Sequence, residues 1–362
     1  MLRPAETVQK LLLSSPARYI AEYEEEDFVL THAWGRAGAR HDEASPLYRT
    51  YFMLSFATPA LDKRAGVMIP NFSPTGDRFC ALLAVLFGKR FDHHGAVEMS
   101  GSFEVPNLAS AEEICDPRRP YHGAKLRVDY PVPLDLREVQ RLEALIHIPA
   151  VNNKLAMAFN TAALFYGRAL RTVGRDPEIA YLHLITACER LAEVAPLSGI
   201  ELEAEVRTAF ERIENELSGG DRVTRLFRGR MRQLRRRFAG LITTHLDDAF
   251  FKRSEADTSW GALRKDKFPK TALAAYDLRS RFIHTGLAFG NTIAPDYQNS
   301  ETANGAPSDL DKESRNIFLR APTFIGLERM TRLVLLKCAG ELGMVVPEPD
   351  HTGSIEQEHR ND

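Results

Sequence analysis

From residue 151 to about 345 the apolar positions recur every three or four residues, the spacing of one buried helix face. Leu155, Phe159, Ala162, Ala163, Tyr166 and Leu170 form the first such stripe. Asn152 or Asn153 is suited to cap it, and it runs to about Val173. Gly174 and Pro177 separate it from a second helix over 178–195, closed by Pro196. The short connection predicts an antiparallel pair, the kernel of a bundle. A third helix is expected over 202–217, ending at Ser218-Gly219-Gly220. In the segment that follows, Leu226, Phe227, Met231, Leu234, Phe238 and Leu241 should face the core. Another helix should begin near Pro269, anchored by Leu273, Tyr276, Phe282 and Ile283. A last one over 323–342 carries Phe324, Leu327, Met330, Val334, Leu335 and Cys338. The polar stretch from 291 to 313 has little to bury and reads as a loop or disordered insertion, and 346–362 as an unstructured tail.

The first 150 residues have a different texture. Residues 1–26 read as one or two short helical pieces ending in the acidic run Glu24-Glu25-Glu26-Asp27, a solvated stretch. After them come short β-prone runs at 28–31, 47–56, 66–69, 97–105 and 125–130, punctuated by Pro, Gly, Asn and Asp. One helix interrupts them, with Ser73 as cap, Pro74 at its first position and Gly88 at its end. Residues 135–146 suggest a further short helix. The expected fold class is α+β: an N-terminal, mainly antiparallel β domain with one helix (1–150), then an all-α helical bundle (151–345).

Net charge is about −2, so the chain as a whole advertises no polyanionic partner, and any nucleic-acid contact has to be local. The four cysteines, Cys80, Cys115, Cys188 and Cys338, are far apart and form no Cys-x-x-Cys pair. This argues against zinc and a disulfide framework and fits a reducing cytoplasm. The first ten residues lack a secretory apolar core, and the densest apolar run, 80–87, is too short to span a bilayer. A cytoplasmic protein without membrane contact is expected. His93-His94 has only Asp92 at a ligand-like spacing and reads as a pair of loop histidines; no metal and no cofactor are expected. No Gly-rich phosphate loop occurs.

Chemistry concentrates in Tyr276-Asp277-Leu278-Arg279-Ser280-Arg281-Phe282-Ile283-His284-Thr285-Gly286. Arg279 carries a permanent charge and His284 titrates near neutrality, a pairing suited to cleaving a phosphodiester without a metal. Imidazole can move the proton of an attacking or leaving oxygen, and guanidinium can hold charge that builds on phosphate. On an ideal helix the two side chains leave the axis about 140° apart. A long Arg, fraying near Gly286, or a second copy of the chain would have to bring them together. The bland alternative is a surface Arg and a His that favours the negative end of a helix dipole.

Upstream, 222–237 is dense in arginine. Arg225, Arg228, Arg232, Arg235 and Arg236 fall opposite the apolar stripe, with no acid between Asp221 and Asp247. They form either a strip that tracks an RNA backbone or a solvated helix face balanced by the acids of the third helix.

The motif, with its Arg-x4-His spacing at a helix end, resembles the signature of the HEPN superfamily, in particular its ApeA-like branch. Tyr181-Leu-His-Leu-Ile-Thr-Ala-Cys-Glu189-Arg-Leu-Ala resembles an earlier helix of that branch, with Glu189 in its middle. The resemblance covers about the last 200 residues. It implies a metal-independent endoribonuclease acting as a toxin or antiviral defence effector, with RNA as substrate. It also implies a homodimer whose two motifs share one cleft. Arg279 and His284 would be catalytic, Ser280, Glu189, Tyr276 and Asp277 supporting, and Arg281 would join the arginine strip on the nucleic acid. Ser280 departs from the Asn, Asp or His that often follows the Arg. Glu189 is then either a carboxylate that orients Arg279 or an exposed helix acid paired with Arg190 or Arg212. A catalytically silent bundle that binds RNA, a nucleotide or a protein is the alternative. The N-terminal domain could in either case sense a trigger ligand or protein.

Overall fold

The computed structural model describes residues 6–33, 44–60, 70–99, 102–103, 115–148, 153–195, 204–217, 219–224, 234–306 and 310–346. The chain divides into two compact units. One comprises Met1–Ile148, Lys252–Glu255 and Leu336–Asp362, the other Pro149–Phe251 and Ala256–Leu335. The fold is α+β, a β-sheet unit followed by a largely helical one.

The first unit is built on strands β1 (Glu6–Ser15), β2 (Tyr23–Glu25), β3 (Phe28–His32), β4 (Thr50–Pro59), β5 (Asp92–Met99) and β6 (Ser102–Phe103). They form a sheet in the order β2-β3-β4-β1-β5-β6, antiparallel throughout. The helical reading of residues 1–26 is therefore wrong: β1 lies inside the sheet, with Leu11 opposite Leu54 and Leu13 opposite Phe52. Leu11, Leu12 and Leu13 are all buried. A strand covered on both faces reads as a continuous apolar run, which periodicity does not distinguish from a short helix. Helix α1 (Ser73–Phe87) has Pro in its first turn and stops at Gly88, which is left-handed at φ 62°. Ser73 is its first residue rather than its cap; the Ser73 amide is taken by Asn71 Oδ1 at 2.9 Å.

Two further expectations fail here. His93 and His94 lie in β5, not in a loop. The charged residues before them suggested a loop, yet Lys89, Arg90 and Asp92 are all buried and satisfied by partners. Residues 125–130 form bends and irregular backbone rather than a strand, and Arg127 turns inward to an ion pair with Glu255 at 2.7 Å, both side chains almost fully buried. Residues 135–146 form a 3-10 turn, Leu136–Leu142, and the short helix α2 (Glu143–Ile146). The expected strand at 66–69 lies outside the described residues.

The second unit holds α3 (Lys154–Thr172), α4 (Pro177–Val194), α5 (Ala204–Glu216), α6 (Leu234–His245), α7 (Asp248–Lys252), α8 (Phe268–Thr285), α9 (Gly290–Ile293) and α10 (Lys312–Phe318). To these is added α11 (Phe324–Glu341), whose residues from Leu336 belong to the first unit, as does Lys252 at the end of α7. Asn153 caps α3 by accepting from the Ala156 amide, and Asp176 caps α4 by accepting from Ile179. α3 and α4 pack together, α6 packs on α4 and α8, and α4 also meets α8. Phe238 and Leu241 of α6 are buried as expected, but Leu234 is exposed. The polar stretch after α8 is not empty of packing: Asn299, Ser300 and Glu301 are buried. Glu301 accepts from Arg329 Nη1 at 2.8 Å and from the Leu263 amide at 2.8 Å. Polar composition misled here, since these groups are buried as hydrogen-bonded partners.

Candidate functional site at the end of α8

Helix α8 carries the motif. It starts with Pro in its first turn and ends at Gly286, left-handed at φ 70°, whose amide donates to Phe282 O at 2.9 Å. Its buried face is Ala272, Ala274, Ala275, Tyr276 and Leu278. Ile283, expected as an anchor, is 51% exposed, and the outward-facing last turn is held differently. After Gly286 the chain folds back so that Phe289 meets Phe282 edge-on at 5.4 Å and Tyr181 of α4 at 5.5 Å. Glu178, in the first turn of α4, accepts the amides of Phe289 and Gly290 at 2.5 and 2.8 Å. Nothing in the sequence singles out Glu178 or Phe289, since the two meet across a separation of 111 residues.

Three of the expected residues come together. Arg279 Nη2 stands 3.4 Å from Glu189 Oε2, with the carboxylate side chain 12% exposed and the guanidinium 25%. The same guanidinium lies 5.4 Å from the Tyr276 ring. Burial, and then the Glu189 charge beside it, push the Tyr276 hydroxyl above its ordinary pKa. Glu189 Oε1 is buried and has no well-aligned hydrogen-bond partner among the described residues. The other partners considered for Glu189 are occupied: Arg190 pairs with Glu193, and Arg212 with Glu216. Glu189 therefore points to Arg279.

His284 is not part of that cluster. It is exposed in the last turn, with no hydrogen bond or ion pair among the described residues. Because α8 remains regular through Thr285, no fraying brings it towards Arg279. Within one chain the two side chains keep the separation of about 140° of an ideal helix. Ser280 is partly exposed and its hydroxyl has no described partner.

The expected nucleic-acid contacts fare less well. Arg235 makes a fork-like pair with Asp277, at 2.6 and 2.7 Å, which ties α6 to the motif helix and occupies both groups. Arg281 is taken by Ser314 Oγ at 2.8 Å and Glu313 Oε1 at 2.6 Å, at the start of α10. Arg237 donates to the carbonyls of Ala192 and Ala195 at the end of α4, where a cation favours the helix dipole. Arg236 is partly exposed. Arg225, Arg228 and Arg232 lie outside the described residues. Among those described, no group of three or more His, Cys, Asp or Glu side chains stands in a metal-binding arrangement, and no helix is long and apolar enough to cross a membrane.

Comparison of the chain with protein-family models, with curated proteins and with solved structures finds no match.

Proposed function

We propose that this chain is a metal-independent endoribonuclease of the HEPN type, a cytoplasmic toxin or antiviral effector. The observation that carries the reading is the cluster of Arg279 with Glu189 and Tyr276, one and a half turns from the exposed His284 at a tightly stopped helix end. At 3.4 Å the Arg279–Glu189 contact is longer than the 2.7–2.9 Å of a strong charge-assisted bond. A guanidinium so held is aligned but can move onto a phosphate. In the reaction the RNA 2′-hydroxyl attacks the adjacent phosphorus and the 5′-oxygen leaves, giving a 2′,3′-cyclic phosphate. His284 takes and returns the proton, and Arg279 stabilises the charge on the phosphorane. The roughly 140° between these residues on one helix favours a cleft completed by a second copy of the chain.

A silent RNA-, nucleotide- or protein-binding bundle is the second reading, favoured by the pairing of Arg235 with Asp277 and of Arg281 with Glu313. One experiment separates the two. Purified protein is incubated in EDTA with total RNA and with single-stranded DNA, beside the double variant Arg279→Ala/His284→Ala. The nuclease reading expects cleavage of RNA only, cyclic-phosphate ends, and no activity in the variant. Binding that survives the double substitution, with no cleavage by the wild type and no loss of its toxicity in cells, would replace it with the silent bundle.

A further inference from the structure

Helix α8 brings three hydrogen-bonding side chains of the motif to one side, and Arg279 is not among them. Ser280 and Arg281 stand four and three residues before His284, which on a regular helix is about 40° and about 60° from it around the axis. Residues so spaced are neighbours on the helix surface, with about 5–6 Å between their Cβ atoms. Arg279 and Arg281, by contrast, leave the axis about 160° apart, and their guanidiniums go to different helices. Arg279 turns to Glu189 of α4, Arg281 to the first turn of α10. Within one chain the guanidinium on the His284 side of α8 is therefore that of Arg281.

One acid shares this side: Asp277, four residues before Arg281 and so placed to pair with it along the helix. It is occupied instead by Arg235, whose Nε and Nη2 donate to its two oxygens at 2.6 and 2.7 Å. Arg281 itself is held by two contacts of unlike strength. Nη1 donates to Ser314 Oγ at 2.8 Å, and Ser314 is buried and donates in turn to Asp311 Oδ2 at 2.5 Å. Nη2 pairs with Glu313 Oε1 at 2.6 Å, but that carboxylate side chain is 80% exposed. Water and salt screen such a pair, so an arriving anion displaces it at small cost. The buried Ser314 contact keeps the guanidinium in place, and the Glu313 side is the one a phosphate can take.

We propose that Ser280, Arg281 and His284 form one phosphate-binding triangle on α8, and that Glu313 occupies its Arg281 corner until RNA arrives. The proposal rests on the RNA-cleaving reading of the same helix and adds to it the guanidinium that works beside His284 in the same copy. In the reaction the 2′-oxygen bonds to phosphorus and the bond from phosphorus to the 5′-oxygen breaks. The proton of the 2′-hydroxyl ends on the 5′-oxygen by way of His284. Arg281 holds a non-bridging oxygen of that phosphate, and the Ser280 hydroxyl donates to another. Arg279, on the far side of α8, reaches the same phosphate from a second copy of the chain.

The test uses the full chain and a short single-stranded RNA whose 2′-hydroxyls are methylated, so that it binds without being cut. Affinity is measured against salt for wild type, Arg281→Gln, Arg281→Lys and Glu313→Gln, and the NMR signal of the His284 imidazole is followed as this RNA is added. Arg281→Gln should weaken binding about tenfold, as loss of a charge-assisted hydrogen bond does. It should also reduce the slope of log affinity against log salt by about 0.7, one phosphate contact on a single strand. Arg281→Lys keeps the charge and should restore the slope. Glu313→Gln removes the competing carboxylate and should tighten binding about two- to fivefold. The His284 signal of the wild type should move as the RNA binds. If Arg281→Gln lowers the melting temperature but keeps the wild-type affinity and slope, Arg281 only ties α8 to α10. That result, a Glu313→Gln variant that binds no tighter, no binding by the wild type, or binding that leaves the His284 signal in place would each overturn the proposal. Cleavage of unmodified RNA is scored beside it. Cleavage at the wild-type rate by Arg281→Gln overturns the triangle and leaves the nuclease reading standing; Arg281-dependent binding with no cleavage by any form does the reverse.

Discussion

At the scale of single residues, the contact between Glu189 and Arg279 is the one whose removal says most. Both side chains are partly exposed and 3.4 Å apart, so the pair contributes little to stability, under about 1 kcal/mol. Its role in the proposed chemistry is alignment. Glu189→Gln keeps the shape and removes the charge. It should leave the melting temperature almost unchanged while lowering kcat for RNA cleavage by about tenfold, with KM little affected, as expected when an interaction used mainly in the transition state is weakened. A second readout does not depend on activity. Part of the upward push on the Tyr276 hydroxyl comes from the Glu189 carboxylate, so phenolate absorbance in the variant should appear at lower pH. Burial is the larger cause, so Tyr276 should still titrate above an ordinary tyrosine. An unchanged Tyr276 titration would mean that the carboxylate does not sit beside that ring.

At the scale of elements, the end of α8 is fixed from outside. Glu178 on α4 holds the amides of Phe289 and Gly290, and Phe289 packs between Tyr181 and Phe282. Glu178→Ala orphans two backbone donors and should cost about 1–2 kcal/mol. Hydrogen exchange should quicken at Phe289 and Gly290 while amides at Ala274 and Ala275 in the α8 interior stay protected; equal protection at all four would refute the bracing role. How much of this could be read in advance depended on how local the signal was. Helix ends set by a few adjacent residues were legible: Asn153 before α3 and Gly286 after α8. So was the Glu189–Arg279 pair, through the resemblance of its two segments. Features set by distant partners were not. β1 reads as helical because its partners, β4 and β5, lie 35 to 88 residues away. Glu301 looked like part of a solvated loop because nothing nearby announces Arg329. The arginine strip looked uniform, yet Asp277 and Glu313 claim Arg235 and Arg281 from outside the segment.

At the scale of the whole molecule, the first unit stores polar groups in its interior, and that gives its stability a direction in pH. His122 is the clearest source. Burial, then Arg90, hold its folded pKa at about 3 against an unfolded value of 6.5. The folded imidazole stays neutral while the unfolded chain takes up a proton as pH falls through 6.5. The stabilisation is therefore complete above about pH 6.5 and is lost progressively down to about pH 3, at up to about 1.4 kcal/mol per pH unit. Between pH 7 and pH 5 this one group should remove about 2 kcal/mol. Asp92 has the same sign at lower pH: its arginine partners hold its pKa below the usual carboxylate value, so its contribution disappears as pH falls through the acid range. His122→Gln is neutral at every pH and should flatten the loss between pH 7 and pH 5, leaving the carboxylate part below it. Urea denaturation at the two pH values, followed by hydrogen exchange in β1 so that the first unit is read by itself, measures the difference. If wild type and variant lose the same stability between pH 7 and pH 5, His122 is not the group that the folded state keeps uncharged.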